Sequence, residues 1–186
     1  MSAAMNGAQN GARNGAKNIA MRGEPGRGAP VLVRAARPDD RARVQMIASV
    51  AMREFGIEAD FDELDRELGR FGDVGPGGAA QLVALRDGVV VASLILSRTG
   101  PRALKLSAFY VDGAVRGKGI GRILLQEAIA FATRDGCASI YLETWDRMAA
   151  AVSLYTSFGW RRGERLPASS GAEWSFVLEL GAGGAA

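Results

Sequence analysis

The stretch VRGKGIGRILLQEAIAFA, residues 115–132, sets three glycines and three basic residues in front of an apolar helical pattern. A glycine-rich turn that leads into a helix presents free backbone N–H groups together with the positive end of the helix dipole. Such a turn binds anions, and phosphate groups are its usual ligands. The stretch therefore predicts a phosphate-binding loop, and the rest of the sequence indicates which kind.

Two common phosphate-binding motifs do not fit this stretch. The P-loop motif G-x-x-x-x-G-K-[ST] needs four residues between its glycines, but only three residues lie between Gly113 and Gly117. Gly119 also occupies the position where the motif requires serine or threonine. The dinucleotide motif G-x-G-x-x-G fits Gly117 and Gly119, but Arg122 occupies the third glycine position. The sequence also lacks repeated β-α-β units, so both kinds of site are excluded.

Length and composition restrict the class of protein. The chain has 186 residues, the size of one domain, with 48% hydrophobic and 23% charged residues, as in soluble globular proteins. No apolar run reaches about 18 residues and no secretory signal is visible, so we expect no membrane association and a cytoplasmic protein. The chain has a single cysteine, Cys137, which excludes an internal disulfide. It has no histidine, which excludes histidine catalysis and histidine metal ligands, and we expect no bound metal.

The net charge of +3 comes from the first 30 residues, which hold four basic residues and one acidic residue. The remaining residues, 31–186, are electrically neutral and show no stripe of basic residues between aromatic ones, so we do not expect nucleic-acid binding. Residues 6–18 repeat an Asn-Gly-Ala unit that is poor in large apolar side chains. We therefore predict a disordered tail over 1–29 and a folded domain over 30–181.

The hydrophobic pattern between residues 31 and 180 alternates between strand and helix periods. Asp87-Gly88 separates two β runs and predicts a tight hairpin. The predicted elements are strand 31–36, a helix from Pro38 to about Phe55, helix 60–71, two strands within 80–98, strand 104–111, a helix to about Arg134, strand 138–144, a helix from Met148 to Phe158, and strand 172–180. This order, β-α-α-β-β-β-α-β-α-β, is a mixed α/β fold.

A further motif, R-x-x-G-x-G, is met by Arg116, Gly119 and Gly121, and four flanking segments accompany it. They are FYV (109–111) at the end of the preceding strand, GRILLQEAI (121–129) in the helix, YLET (141–144) in the next strand and AVSLYTSFGW (151–160) in the helix after that. In this combination the sequence resembles the GCN5-related N-acetyltransferase (GNAT) superfamily over about residues 31–180, most specifically over 104–160.

The resemblance implies a mixed sheet that is splayed between its fourth strand, 104–111, and its fifth strand, 138–144, with acetyl-coenzyme A in the gap. Backbone N–H groups at the end of the fourth strand then hold the pantetheine arm and polarise the thioester carbonyl, while the glycine loop binds the pyrophosphate. Glycine and nearby basic side chains suit such a loop, because they give access to the backbone and add positive charge. The implied acetyl-coenzyme A contacts are Phe109, Tyr110, Val111, Arg116, Gly117, Lys118, Gly119, Ile120, Gly121 and Arg122.

The resemblance also implies an acid and a base for acyl transfer to an amine. Tyr155 matches the tyrosine that commonly protonates the leaving thiolate. Many members carry a glutamate on the fourth strand as base, whereas LKLSAFYV (104–111) has Lys105 and Ser107 and no acid. Glu143 on the adjacent strand is then the catalytic candidate, either as base or as a ligand of the acceptor amine, and a structural role remains open for it.

The implied function is acetyl-coenzyme A-dependent transfer of an acetyl group to a primary amine of a small molecule, a peptide or a protein. Residues 54–73 hold eight acidic residues against two arginines, which suits a cationic acceptor, although a solvated helix face gives the same pattern. The missing strand acid leaves open a non-catalytic acyl-coenzyme A-binding or regulatory module. The sequence names neither the acceptor nor the oligomeric state, for which a homodimer is one option.

Overall fold

An eight-stranded mixed sheet runs through the computed structural model, which describes residues 19–22, 30–63 and 65–181. In chain order the strands are β1 (Ile19–Arg22), β2 (Val31–Ala35), β3 (Gly78–Arg86), β4 (Val89–Gly100), β5 (Ala103–Val111), β6 (Ser139–Thr144), β7 (Arg161–Arg165) and β8 (Trp174–Glu179). Their order across the sheet is β1-β2-β3-β4-β5-β6-β8-β7. Neighbouring strands are antiparallel except β5 and β6, which run parallel.

Helices cover both faces of the sheet. Within the described residues they are α1 (Arg41–Arg53), α2 (Arg66–Gly69), α3 (Ile120–Arg134) and α4 (Ala149–Ser157). The apolar side chains of α3 and α4 pack on one face, where Leu124 and Tyr155 belong to the larger hydrophobic cluster. A smaller cluster that includes Val44 and Leu68 joins α1 and α2 to the opposite face. No helix in the described part of the chain is long and apolar enough to cross a membrane.

The hairpin between β3 and β4 forms at the predicted position. Asp87 and Gly88 have φ values of 53° and 77°, and positive φ at both central residues is what a two-residue type I′ turn requires. The strands pair in antiparallel register directly from the turn, beginning with Arg86 and Val89. The hairpin places β4 beside β5, which borders the candidate site.

β5 and β6 pair over a short stretch, after which their pairing ends although both strands continue. The parallel register joins residues 103–105 of β5 to residues 139–141 of β6. This is the splay predicted between the fourth and fifth strands, and the mixed α/β fold class is confirmed. We call the space between β5 after Lys105 and β6 after Tyr141 the strand cleft.

The helix predicted over 60–71 is wrong in length, because α2 forms only at Arg66–Gly69. The Asp60 carboxylate accepts hydrogen bonds from the backbone N–H groups of Asp62 and Glu63, at 3.1 and 3.0 Å. Aspartate side chains compete in this way with the backbone hydrogen bonds of a helix. The segment therefore turns before α2 instead of continuing as one long helix.

Two strands, β1 and β7, have no counterpart in the predicted order. All residues of β7, whose sequence is RRGER, are exposed, and the strand pairs with β8 at the edge of the sheet. A strand without an apolar face gives no period-2 pattern, so the sequence did not indicate it. β1 falls within the segment 1–29 that was predicted to be a disordered tail, and its backbone pairs with β2. Residues 1–18 and 23–29 of that segment lie outside the described residues.

Candidate active site

The glycine loop before α3 contains two residues in the left-handed region of backbone conformation. Gly117 and Gly119 have φ values of 75° and 79°, and Gly119 is the N-cap of α3. A Cβ atom at either position would meet nothing within 4 Å, so this side of the backbone faces open space. Ile120, the first residue of α3, is buried and anchors the end of the loop in the core. Exposed N–H donors at the positive end of a helix dipole suit a pyrophosphate group, and the loop therefore fits this part of coenzyme A.

Gly121 has a different surrounding from the other two glycines. A Cβ atom there would lie 3.3 Å from Phe109 Cζ, 3.4 Å from Val111 Cγ2 and 3.5 Å from Leu154 Cδ2. The first two atoms belong to the end of β5 and the third belongs to α4. The absence of a side chain at Gly121 thus lets the start of α3 approach both elements, and this packing holds the loop in place.

Replacing Gly121 with valine should lower the free energy of unfolding by about 1–3 kcal/mol, the usual effect of adding methyl groups to a filled site. The added methyl groups would enter space that Phe109 and Leu154 occupy. Urea unfolding measures the change. Gly113→Val is the matched control, because a Cβ atom at Gly113 meets nothing within 4 Å. An equal loss in both variants would contradict the packing role of Gly121.

One of the three basic side chains around the loop holds the loop in place, and the other two lie exposed beside it. The Arg116 guanidinium donates a hydrogen bond to the Val111 carbonyl at 3.1 Å and pairs with Glu54 at 2.5 Å, which ties the loop to β5 and to the end of α1. Lys118 and Arg122 are exposed, and no ion pair of the described residues includes either of them. Lys118 and Arg122 therefore supply positive charge that a phosphate could use.

β5 carries a bulge where it borders the strand cleft. Ser93 and Ile95 of β4 pair with Tyr110 and Ser107 of β5, so two β5 residues lie opposite one residue of β4. The first of these two, Ala108, has a φ of 49°, and its carbonyl accepts a hydrogen bond from the Ser93 hydroxyl at 3.2 Å. A bulge leaves the extra residue out of the ladder of hydrogen bonds. The segment predicted to contact pantetheine thus follows a break in that ladder.

Tyr155 of α4 is buried with 6% of its surface exposed. Its ring centroid is 6.0 Å from that of Phe109 and 5.8 Å from that of Trp160, so the three rings form a row from β5 toward β7. Burial raises the pKa of Tyr155, and the electrostatic effect of Tyr110 raises it further. The hydroxyl group is therefore neutral at physiological pH and keeps a proton that it can donate.

Glu143 of β6 is held by two partners. Lys105 Nζ donates a hydrogen bond to one carboxylate oxygen at 2.8 Å, and the Tyr141 hydroxyl donates to the other at 2.7 Å. Partial burial raises the pKa of Glu143, but the hydrogen bonds from Lys105 and Tyr141 and the charge of Lys105 outweigh burial, so the pKa is lower than usual. Glu143 is therefore an ion-paired carboxylate at neutral pH, and its negative charge is compensated by Lys105.

Replacing Lys105 with methionine should raise the pKa of Glu143, because burial then acts without the opposing cation. An NMR titration of the carboxyl group measures this change. Since the folded-state pKa is below the usual 4.5, the stability that Glu143 contributes is present at neutral pH and is lost as the pH falls through the folded-state pKa. The difference in unfolding free energy between wild type and variant should therefore shrink in acid. An unchanged pKa in the variant would contradict the assigned effect of Lys105.

One carboxylate near the strand cleft was not among the predicted site residues. Glu67 of α2 accepts hydrogen bonds from the Ser97 hydroxyl of β4 at 3.1 Å and from the Ser107 hydroxyl of β5 at 2.6 Å. It is one of eight acidic residues within 54–73, and no local pattern distinguishes the one that reaches the sheet. Only the tertiary structure could reveal this contact.

An open depression lies beyond the C-terminal end of β6. Its volume of about 470 Å³ falls within the range of about 300–1,000 Å³ that is typical of ligand pockets. Trp145 and Arg147 line one side, and Glu173 before β8 lines the other. The Arg147 guanidinium also lies 5.9 Å from the Phe55 ring, which follows α1. Open space thus adjoins the strand that carries Glu143.

Residues 44–160 match the sequence model of the Acetyltransferase (GNAT) family. The matched range makes up more than half of the chain and contains the glycine loop and both strands of the cleft. The chain belongs to the GNAT family of acetyltransferases. The resemblance predicted from the sequence motifs is thereby confirmed.

This GNAT acetyltransferase is 31% identical over 137 residues to the uncharacterized N-acetyltransferase YjgM of Escherichia coli, and the alignment covers 70% of the chain and 81% of the relative. A GNAT-family acetyltransferase structure from Staphylococcus aureus aligns with a TM-score of 0.71 and 22% identity, over 80% of this chain and 98% of that one. The yncA protein of Salmonella typhimurium, solved with its cofactor acetyl-coenzyme A, aligns with a TM-score of 0.63 and 24% identity, over 84% and 96%. The two structures share the fold of this chain.

Proposed function

We propose that this GNAT acetyltransferase transfers an acetyl group from acetyl-coenzyme A to a primary amine of a small molecule, a peptide or a protein. The observation that carries the proposal is the open glycine loop at the start of α3, beside a splayed pair of parallel strands. Family membership supports acyl transfer. The N-acetyltransferase name of the Escherichia coli relative supports an amine as the acceptor. The acetyl-coenzyme A in the Salmonella typhimurium structure supports this thioester as the acetyl donor.

Acetyl-coenzyme A has two groups that the chain can recognise. The pyrophosphate would bind the backbone of residues 116–122, with Lys118 and Arg122 adding positive charge. The backbone N–H groups of residues 109–111, after the β5 bulge, would hold the pantetheine arm and polarise the thioester carbonyl. When bound, acetyl-coenzyme A supplies an activated acyl group, and the chain supplies its orientation.

Tyr155 is the proposed proton donor. A coenzyme A thiol should have a pKa near that of cysteine, about 8.5, which is below the ordinary tyrosine value of about 10. Burial raises the pKa of Tyr155 further, so full proton transfer to the thiolate is uphill. The Tyr155 hydroxyl can instead donate a hydrogen bond to the sulfur. This bond strengthens as negative charge develops on the sulfur, so it stabilises the leaving thiolate without complete proton transfer.

The acceptor must lose its positive charge before it can attack the thioester, and a carboxylate near the strand cleft can accept the proton. Glu143 and Glu67 both lie on the face of the sheet that α1 and α2 cover. Glu143 was the predicted candidate, but the pairing with Lys105 lowers its pKa and makes it a weaker base. Both residues therefore need to be tested as partners of the acceptor.

The proposed function is tested by mixing the protein with acetyl-coenzyme A and a panel of primary amines, namely ethanolamine, putrescine, spermidine and a tripeptide with a free α-amino group. Release of coenzyme A thiol that depends on the amine supports N-acetyltransfer. Binding of acetyl-coenzyme A without thiol release on the whole panel would contradict the proposal and favour the non-catalytic module.

A further inference from the structure

The Glu67 carboxylate spans two strands of the sheet. One oxygen accepts a hydrogen bond from Ser97 of β4 and the other accepts one from Ser107 of β5. Two hydroxyl donors fix the direction of the carboxylate without neutralising its charge. The next residue, Leu68, is buried at 2% exposure and anchors α2 on the same face of the sheet. Glu67 is thus an exposed carboxylate with a defined position.

This position is at the rim of the strand cleft. Lys105 and Tyr141 form the last register pair of β5 and β6, and Ser107 and Glu143 lie two residues further along their strands. Side chains two residues apart in a strand point to the same face. Ser107 and Glu143 therefore lie on opposite rims of the cleft and on one face of the sheet. Through its bond to Ser107, the Glu67 carboxylate reaches the β5 rim.

The two carboxylates differ in their charge compensation. Glu143 pairs with Lys105 Nζ at 2.8 Å. Among the described residues, no Lys or Arg nitrogen forms an ion pair with Glu67. A carboxylate that forms no ion pair and lies beside a ligand cleft can bind a cation, and a charge-assisted hydrogen bond to an ammonium group is stronger than one between neutral groups. The Glu67 carboxylate is therefore available to form a charge-assisted hydrogen bond with an ammonium group.

We propose that Glu67 binds the ammonium group of the acceptor amine at the rim of the strand cleft and accepts its proton. The proposal rests on the proposed N-acetyltransfer. The ammonium gives one proton to Glu67, which releases it to solvent. The neutral nitrogen then attacks the acetyl carbon, a C–N bond forms and the C–S bond breaks. The second proton lost by nitrogen passes to solvent, and the coenzyme A thiolate, to which the Tyr155 hydroxyl donates a hydrogen bond, takes up one proton from solvent as it leaves.

The test compares Glu67→Gln with Glu63→Gln, which removes the same charge from an exposed residue of the same segment. Glutamine at position 67 keeps the size of the side chain; its amide oxygen can accept a hydrogen bond from one serine hydroxyl and its amide N–H group can donate one to the other. We expect kcat/KM for the most active amine of the panel to fall by about 100-fold or more in Glu67→Gln. Acetyl-coenzyme A affinity and Tm should stay near wild type, and Glu63→Gln should match wild type in all three.

A binding measurement separates recognition from turnover. Calorimetry with the same amine and coenzyme A, which lacks the acetyl group, should show about tenfold weaker amine binding or more in Glu67→Gln, and no change in Glu63→Gln. Equal amine affinity and equal kcat/KM in wild type and Glu67→Gln would overturn the proposal while leaving N-acetyltransfer intact. Failure of the wild type to acetylate any amine would overturn both.

Ser107→Ala distinguishes a charge role from a mere attachment of α2 to the sheet. This variant removes one hydrogen bond to Glu67 and keeps the carboxylate. If Glu67 acts through its charge, kcat/KM should fall by about tenfold or less, the net contribution of one hydrogen bond. If Ser107→Ala loses as much activity as Glu67→Gln although it keeps the carboxylate, Glu67 only attaches α2 to the sheet and the proposal is wrong.

Discussion

Replacing Gly119 with glutamate should weaken acetyl-coenzyme A binding by about 100-fold or more while the chain stays folded. The residue caps α3 with a φ of 79°, and its missing side chain faces open space. A glutamate there sets a carboxylate where the pyrophosphate is expected. Like charges in contact cost several kcal/mol, and about 2.7 kcal/mol is enough for a 100-fold loss. Isothermal titration calorimetry measures the affinity directly.

Gly136→Glu is the matched control for this substitution. Gly136 follows the other end of α3, has a φ of 73°, and a Cβ atom there would also meet nothing within 4 Å. Both variants therefore place glutamate at a similar positive φ and add the same charge. Acetyl-coenzyme A affinity should remain near wild type in Gly136→Glu. Equal affinity of wild type and Gly119→Glu would show that the glycine loop does not bind the pyrophosphate.

Replacing Tyr155 with phenylalanine should lower kcat by a factor of about 10²–10⁴, the usual contribution of general acid catalysis. The substitution keeps the ring that packs between Phe109 and Trp160 and removes only the hydroxyl. Acetyl-coenzyme A affinity and Tm should therefore change little. Steady-state kinetics with a saturating amine, together with calorimetry, separates the two effects.

The pH dependence of this loss follows from the direction of the pKa shift. The protonated form of Tyr155 is the proposed donor, and burial raises its pKa above the ordinary value of about 10, so the donor form persists at every lower pH. The ratio of wild-type to Tyr155→Phe activity should then be constant across neutral pH. A kcat near wild type with chemistry rate-limiting would make Tyr155 a packing residue. If Tyr155→Phe loses both its fold and its affinity for acetyl-coenzyme A, the Tyr155 hydroxyl is structural.

The sequence was sufficient for the elements that carry strong local patterns. Asp87-Gly88 predicted the hairpin because few residues other than these tolerate positive φ at both turn positions. The apolar helical spacing after Gly119 predicted α3, which begins at Ile120. The splay between β5 and β6 came from the family resemblance, since no local pattern encodes where two parallel strands stop pairing.

The remaining features depend on contacts between distant residues. α2 is short because the Asp60 carboxylate bonds to nearby backbone groups, a choice that helical spacing of apolar residues does not reveal. The pairing of Glu143 with Lys105 joins residues on adjacent strands, and its strength depends on their register. The contact between Glu67 and Ser107 needs both the turn before α2 and the packing of Leu68. Sequence periodicity contains none of this information.

In the proposed reaction an acetyl group passes from acetyl-coenzyme A to an amine at the strand cleft. Mass spectrometry after incubation with isotopically labelled acetyl-coenzyme A and the amine panel tests it most directly. We expect the label on the nitrogen of at least one amine, in an amount equal to the coenzyme A thiol released, and loss of both in Gly119→Glu. Label found only in free acetate, or retained in acetyl-coenzyme A with every amine, would show that the protein does not acetylate amines.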